Sequence, residues 1–101
     1  VVVNPAKWGR LVESSIGTHL INNALTERFN VYYWREGNQE VDFVLEKNGR
    51  TIALEVKSGR GYMPVGMKLF DQKFHPDKLL LVGTGGLPVE DFLNINPVEL
   101  F

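Results

Sequence analysis

The segment EVDFVLEKNGRTIALEVKSG, residues 40–59, consists of two alternating stretches joined by Asn48-Gly49. Asn-Gly is the strongest short signal for a hairpin, because the type I′ turn requires a positive φ at both central residues. With these two residues as the loop, the facing apolar pairs are Leu45 with Ile52, Phe43 with Leu54 and Val41 with Val56. The apolar sets of both strands then lie on one face, so the predicted register is self-consistent.

The same register gathers charge on the opposite face of the hairpin. Asp42 is set opposite Glu55, and Glu40 is set opposite Lys57. Like charges in directly opposed positions, with Cβ atoms about 4.5–5.5 Å apart, destabilise a sheet. Either one carboxyl is therefore protonated or a cation lies between the two, and a hard divalent ion is the natural candidate at neutral pH. Lys57 lies on the face of Glu55, so the pattern predicts a convergent site.

Helical and strand patterns alternate around the hairpin. From Trp8 to about Phe29, apolar or small residues recur at three- and four-residue steps, which predicts a helix. Its stripe comprises Val12, Ile16, Gly17, Leu20, Ala24 and Leu25. β-Branched and aromatic residues predict a strand at Val31–Arg35, before a turn over residues 36–39. The other predicted elements are strands at Glu40–Glu46, Thr51–Lys57 and Leu79–Val82, a loop at Ser58–Pro64, and a helix from Val65 to about Phe74 with the stripe Leu69, Phe70 and Phe74.

This order of elements predicts an α/β fold, with a small mixed sheet flanked by helices. The last strand follows a crossover helix and should therefore lie parallel to its neighbour. The tail, Gly85–Phe101, is expected to add a short helix and an edge strand. A chain of 101 residues suits one domain with a real core, so we assign residues 1–101 to a single domain.

Composition limits the classes of partner and compartment. The net charge of −1 gives no global field that attracts nucleic acid, so such binding would need a local patch. The absence of cysteine excludes disulfides and thiolate chemistry and suits a reducing compartment. No stretch approaches the roughly 20 apolar residues of a membrane span, so we expect a soluble, cytoplasmic protein. A first residue that is valine suggests a piece of a longer chain.

Glu13 precedes Gly17 by one turn of the first predicted helix, on or beside the stripe that should face the sheet. A lone carboxylate in that position is costly without a partner, so Glu13 could complete a metal shell. A small change in helix phase would instead leave it in water at the boundary. Gly17 would let the helix approach the sheet closely.

Glu13, Asp42 and the triplet Glu55-Val56-Lys57 together resemble the PD-(D/E)XK nuclease superfamily, in which an acidic residue on the first core helix precedes an aspartate on one strand and E-x-K on the next. The predicted αβββαβ order is that of its restriction-endonuclease-like core. More narrowly, GRLVESSIGTHL (9–20), YYWREGNQEVDFVL (32–45) and IALEVKSG (52–59) look like the uncharacterised C-terminal domain of many prokaryotic AAA-type ATPases. Three separated blocks in family order make the match specific, whereas E-x-K alone would be nearly worthless.

The resemblance implies Mg²⁺, with Mn²⁺ as a substitute, held by Asp42 and Glu55 with help from Glu13. The main-chain oxygen of Val56 could add a ligand, because Mg²⁺ takes octahedral oxygen coordination. Lys57 would position or activate the attacking water. The resemblance further implies DNA as a partner, and an ATPase domain upstream of Val1 that carries a phosphate-binding loop. Gln72 is the candidate for the polar residue that many active relatives supply from the second helix.

Two functions stay open at this point. The domain is either a Mg²⁺-dependent DNase or an inactive nuclease fold that serves its ATPase as a DNA-binding, protein-interaction or regulatory module. The purely structural alternative for Asp42, Glu55 and Lys57 is an ion-pair cluster on a solvated sheet face.

Other polar and aromatic features receive simpler interpretations. His19 and His75 are expected to be surface or internally hydrogen-bonded residues, because neither has a second histidine at metal spacing. The Gly-Thr-Gly-Gly sequence at residues 83–86 is expected to be a turn, since no Lys-Ser/Thr follows it. An exposed Tyr33 beside Asp42 could stack on a nucleic-acid base.

Overall fold

The protein forms a four-stranded sheet with helices on both faces. The structure is a computed structural model that describes the backbone of residues 5–57 and 65–101 and the side chains of residues 14–57 and 65–101. The predicted loop at Ser58–Pro64 lies outside these residues. In chain order the elements are α1 (Pro5–Glu27), β1 (Asn30–Glu36), β2 (Gln39–Lys47), β3 (Arg50–Lys57), α2 (Val65–Phe74), β4 (Lys78–Gly83), α3 (Val89–Leu93) and a 3₁₀ turn, η1 (Pro97–Leu100).

The hairpin between β2 and β3 has the predicted turn. Asn48 has a φ of 52° and Gly49 a φ of 81°, both in the left-handed region that a type I′ turn requires. The pairing runs from Lys47–Arg50 to Phe43–Leu54, which is the predicted register. The Asn-Gly turn therefore fixes which side chains of the two strands face each other.

The sheet has the order β1-β2-β3-β4 and is mixed. β1, β2 and β3 form an antiparallel meander, and β4 pairs with β3 in parallel. The parallel partner follows α2, as a crossover connection requires. The predicted α/β class and the αβββαβ order of elements are confirmed.

Two apolar clusters cover the two faces of the sheet. The α1 side contains Ile16 and Leu20 of α1, Phe92 of α3, and buried residues of β2, β3 and β4, namely Leu45, Ile52, Leu54 and Val82. The α2 side contains Val41, Val44, Ala53, Met67 and Phe70, with Trp34 and Leu79 packed against them. Because both faces are covered, β3 is apolar on each side, as expected for a central strand.

A β-bulge interrupts the pairing of β1 with β2. The pairs on either side of it are Tyr32 with Val44 and Trp34 with Val41. Asp42 and Phe43 therefore share one facing residue, Tyr33, and the extra residue reverses the alternation of side chains beyond it. Val41 consequently packs on the α2 side, whereas Phe43 and Leu45 pack on the α1 side. The prediction that these three residues share one face is wrong for Val41.

Three further details differ from the sequence pattern. Leu25 was predicted to belong to the buried stripe of α1 but is 83% exposed. The buried face of the helix contains Ile16 and Leu20, and Leu25 lies outside that face. Met67 anchors α2, whereas Phe74 is exposed, contacts the Trp34 ring edge-on and packs in a tilted arrangement against the Phe70 ring. Within the described part of the tail there is no edge strand, and Leu87 forms a single isolated bridge with Val82.

No helix in the described part of the chain combines the length and the apolar character needed to cross a bilayer.

Candidate functional site

The site lies where the ladder between β2 and β3 stops. The last described pair is Phe43–Leu54, and the expected pair of Asp42 with Glu55 does not continue it. Instead, Asp42 Oδ2 accepts a hydrogen bond of 2.9 Å from the main-chain nitrogen of Val56. The bulge in β2 turns this carboxylate into the gap between the strands. Asp42 thus replaces a main-chain acceptor at the point where the strands separate.

Glu55 is the buried carboxyl of the site. Its side chain is 9% exposed, and its Oε2 is buried with no hydrogen-bond partner among the described residues. The pKa of Glu55 is raised to about 9, first by burial and then by contact with the Asp42 carboxyl, with a smaller effect from Glu40. The like-charge conflict expected from the sequence is therefore present, although through a side-chain contact rather than a regular cross-strand pair.

The structure rejects one alternative for these residues. A cluster of ion pairs on a solvated face would leave Glu55 in water, and the burial of this side chain contradicts that arrangement. A buried polar atom without a partner is costly and calls for an explanation such as a bound proton, water or ion. Either a proton or a cation would reconcile Glu55 with Asp42.

Val56 and Lys57 complete the predicted E-x-K segment at the end of β3. The half-buried Lys57 pairs with Gly83 of β4, and its main-chain oxygen accepts a 3.0 Å hydrogen bond from the nitrogen of Thr84. A Cβ on Gly83 would lie 2.0 Å from that same oxygen, at a backbone φ of +114° that favours glycine. The Gly-Thr-Gly-Gly turn, confirmed at residues 83–86, therefore holds the end of β3 in place.

Glu13 belongs to α1, but its side chain lies outside the described residues, so its predicted place in the site stays a prediction. One turn later, Gly17 is buried, and a Cβ there would lie 3.2 Å from Cζ of Phe43. The predicted close approach of α1 to the sheet is confirmed. Among the described side chains, no three acidic or histidine residues group tightly enough to hold a metal.

The sequence pattern missed the surroundings of Tyr33. Glu40 pairs with Arg35 of β1 instead of Lys57, and the Tyr33 hydroxyl donates a 2.6 Å hydrogen bond to Glu40 Oε2. That hydrogen bond raises the pKa of Tyr33, and the nearby Arg35 opposes it. A bulge leaves no fixed signature in one sequence, so the pairing of Glu40 could not be foreseen.

The donor set suits a hard divalent cation. Carboxylate oxygens are the ligands that Mg²⁺ uses in proteins, usually one or two of them with several waters. Glu55 Oε2 is a buried oxygen without a hydrogen-bond partner in the described structure. The carboxylate of Asp42 lies next to the Glu55 carboxyl and supplies the second acidic group of the site. The residues present therefore fit Mg²⁺, with Asp42 and Glu55 as the protein ligands.

The two histidines agree with their simpler interpretation. His19 makes a 2.8 Å hydrogen bond through Nε2 to the carbonyl oxygen of Ile95, and its ring contacts Phe92 edge-on. His75 is exposed beyond the end of α2. Gln72 is exposed on α2, and its predicted role in the site is untested.

Comparison with known families gives one match. The model of a family described as a domain of unknown function, DUF4143, matches residues 8–101. The chain belongs to this family. No curated protein and no solved structure shows significant similarity to the chain. Because the description of DUF4143 names no activity, the likeness to PD-(D/E)XK nucleases stays a prediction.

Proposed function

We propose that this DUF4143 domain is a Mg²⁺-dependent nuclease that hydrolyses phosphodiester bonds in DNA, with Mn²⁺ able to replace Mg²⁺. One observation carries the proposal: the buried Oε2 of Glu55, without a partner among the described residues, lies in a carboxyl group that contacts Asp42. A fold under no functional demand would gain stability by replacing such a group with an apolar one. The resemblance to PD-(D/E)XK nucleases supplies the reaction class, and the order of helices and strands agrees with it.

The chemistry is a transfer of the phosphoryl group to water. Water adds to phosphorus, the bond from phosphorus to one ester oxygen breaks, and a proton is taken up by the departing oxygen. The products are one phosphate end and one hydroxyl end. A bound divalent ion neutralises phosphate charge and lowers the pKa of water.

The residues of the chain have separate roles in this proposal. Asp42 and Glu55 hold the ion, and the Val56 nitrogen fixes the carboxylate of Asp42 through its 2.9 Å hydrogen bond. Lys57 follows at the end of β3, where its charge would stabilise the negative charge that develops on the phosphate. Glu13 would assist from α1, and the main-chain oxygen of Val56 is a further candidate ligand.

The wider context is also proposed from the resemblance. The domain would work in the same chain as an AAA-type ATPase located upstream of Val1. An inactive domain that binds DNA or regulates that ATPase is the second proposal. The net charge of −1 supports it over a nuclease that follows duplex DNA, because the chain has no overall positive charge to attract a duplex. Metal binding without cleavage would identify this second function.

The test compares purified wild-type protein with Asp42→Asn, Glu55→Gln and Lys57→Met on single-stranded and double-stranded DNA in Mg²⁺ or Mn²⁺. Glu90→Gln is the matched control, because it removes an exposed carboxylate on α3. We expect cleavage by the wild type and the control, and a loss of at least 100-fold in each site variant, as single groups that stabilise a transition state contribute about that much. EDTA should abolish the activity.

If both carboxylate variants still cleaved DNA, the activity would come from a contaminant or from another site. Absence of cleavage by the wild type on every substrate would refute the nuclease. In that case, if Mn²⁺ raised the unfolding temperature of the wild type but not that of Glu55→Gln, the domain would be an inactive module that binds metal, which is the second proposal.

A further inference from the structure

One edge of the sheet is open in the described part of the chain. β1 is a terminal strand that pairs with β2 alone, and no other described residue forms a main-chain hydrogen bond with it. The opposite edge differs, because Leu87 lies beside β4. Its nitrogen donates a 2.9 Å hydrogen bond to the carbonyl oxygen of Leu81, and its carbonyl oxygen accepts a 2.7 Å hydrogen bond from the nitrogen of Gly83. Unpaired N–H and C=O groups on an edge strand are a template for another strand, so β1 is the edge that can receive one.

Aromatic side chains are exposed on both sides of this edge. Tyr32 and Trp34 pair with residues that pack on the α2 side, so both rings lie on that side. Tyr33, between them, therefore lies on the α1 side. Phe74 of α2 adds a ring next to Trp34, with the two ring centroids 6.1 Å apart. Tyr32, Tyr33 and Phe74 are all more than half exposed, and a group of exposed apolar side chains is typical of an interaction surface.

The charges of β1 lie at one end of the strand. Arg35 and Glu36 are its only charged residues and are next to the turn, whereas residues 30–34 are uncharged. Both charges already have partners within the chain. Glu36 forms an ion pair with Lys73, and the Arg35 guanidinium donates a 3.0 Å hydrogen bond to the carbonyl oxygen of Gly37. Residues 30–34 thus contain none of the charges or prolines that keep an edge strand unpaired.

The sequence of β1 is complementary to itself in antiparallel pairing. Tyr33 is the midpoint of the strand, so a two-fold axis through Tyr33 and perpendicular to the sheet pairs every residue of β1 with a residue of a second copy. Tyr32 of one copy then faces Trp34 of the other on the α2 side. Tyr33 faces its own counterpart on the α1 side. Aromatic pairs in facing positions stabilise a sheet.

Charge favours this pairing over the parallel alternative. Antiparallel pairing about Tyr33 sets Arg35 opposite Val31. It also sets Glu36 opposite Asn30, so each charge meets an uncharged residue. In a parallel pairing in register, arginine would face arginine and glutamate would face glutamate, which destabilises a sheet. A second copy of this chain therefore supplies both the apolar match and the charge match that the open edge requires.

We propose that the protein forms a symmetric dimer in which the β1 strands of two copies pair antiparallel about Tyr33, so that two four-stranded sheets become one sheet of eight strands. The aromatic cluster of Trp34, Phe70 and Phe74 then continues across the interface to Tyr32 of the other copy. The inference concerns an interaction surface and does not depend on nuclease activity.

The first test is sedimentation velocity of the wild type between about 2 and 200 µM, because a dimer gains population with protein concentration. Tyr33→Lys and Tyr33→Glu each place like charges opposite one another at the axis. Thr84→Lys and Thr84→Glu are the matched controls, since Thr84 is exposed in the turn after β4 at the other edge of the sheet. Melting curves of all variants check that the fold is kept.

We expect the wild type to change from monomer to dimer across this range. Tyr33→Lys alone and Tyr33→Glu alone should each raise the dissociation constant of the dimer at least about tenfold, because like charges face each other and the ring pair is lost. An equimolar mixture of these two variants should dimerise within about threefold of the wild type, because opposite charges then meet at the axis. Both Thr84 variants should dimerise like the wild type.

A second test needs no new charge at the interface. The chain has no cysteine, so Tyr33→Cys introduces a single thiol. Facing Cβ atoms in a sheet lie about 4.5–5.5 Å apart, so a short bis-maleimide should link two copies of Tyr33→Cys into a dimer that survives a denaturing gel. Thr84→Cys should stay monomeric under the same treatment.

A wild type that is monomeric at every concentration would overturn the inference and would leave the β1 edge to a strand from a different protein. A mixture of Tyr33→Lys and Tyr33→Glu that dimerises no better than either variant alone would overturn the two-fold axis at Tyr33. Equal cross-linking of Tyr33→Cys and Thr84→Cys would overturn the choice of edge.

Discussion

At the scale of single residues, Glu55 combines a central position in the sheet with an ionisable group. Ala53 and Leu54, the two preceding residues of β3, are fully buried, and Glu55 continues the strand at 9% exposure. The pKa of Glu55 is about 9 in the fold, against 4.5 for an ordinary glutamate, first because the carboxyl is buried and then because Asp42 is next to it. A difference of one pKa unit between folded and unfolded protein corresponds to about 1.4 kcal/mol.

The resulting pH dependence of stability has a definite sign. The folded protein binds the proton of Glu55 more tightly than the unfolded chain does, so the free energy of unfolding falls as the pH rises from about 4.5 towards about 9. In metal-free buffer, Glu55→Gln should remove this dependence. We expect the variant to unfold at least 5 °C above the wild type at pH 8.5, and the difference to shrink at pH 5.

Circular dichroism melting of both proteins at four pH values measures this difference. Glu90→Gln, an exposed change on α3, should follow the wild-type curve. If the unfolding temperatures of the wild type and Glu55→Gln changed with pH in parallel, Glu55 would be ionised in the folded protein. That result would contradict the raised pKa of this carboxyl.

At the scale of elements, the site depends on how α2 begins against β2. Gly66 is the second residue of α2, and a Cβ added to it would lie 2.2 Å from the main-chain oxygen of Glu40. The start of the helix therefore touches the backbone of the residue whose carboxylate holds Tyr33. The hydrophobic stripe of α2 could be read from the sequence, but this backbone contact could not, because it depends on the bulge that shifts Glu40.

Gly66→Ala should thus destabilise the protein, although alanine is the better helix former in isolation. The backbone oxygen cannot move as a flexible side chain would, so we expect a loss of about 2 kcal/mol in the free energy of unfolding, within the range for overpacked sites. Urea titration measures this loss, with Lys68→Ala, at an exposed position of the same helix, as the control. A stability of Gly66→Ala equal to or above that of the control would contradict the close contact.

At the scale of the whole molecule, the alternation of residues 40–57 and the Asn48-Gly49 turn predicted the central hairpin, and the crossover helix predicted the parallel fourth strand. Asp42, Glu55 and Lys57 were recognised as a group from the same register. The contact between Asp42 and Glu55 depends on two features with no local signal: the bulge at Asp42–Phe43 and the hydrogen bond from the Val56 nitrogen to Asp42. The packing of the tail was equally hidden, because α3 and η1 are short and aperiodic.

Phe92 shows how far the fold depends on that tail. It belongs to the five-residue helix α3, is fully buried, and joins the α1-side cluster through contacts that include the edge of the His19 ring. Phe92→Ala should lower the free energy of unfolding by about 3–5 kcal/mol, because a large cavity opens in the core that joins α1 to the sheet. Leu93→Ala, next to it and 36% exposed, should cost far less. Urea denaturation measures both changes, and an unchanged m-value would show that the protein still unfolds as one cooperative unit. If Phe92→Ala lowered the free energy of unfolding by less than about 1 kcal/mol, the core would be complete without the tail.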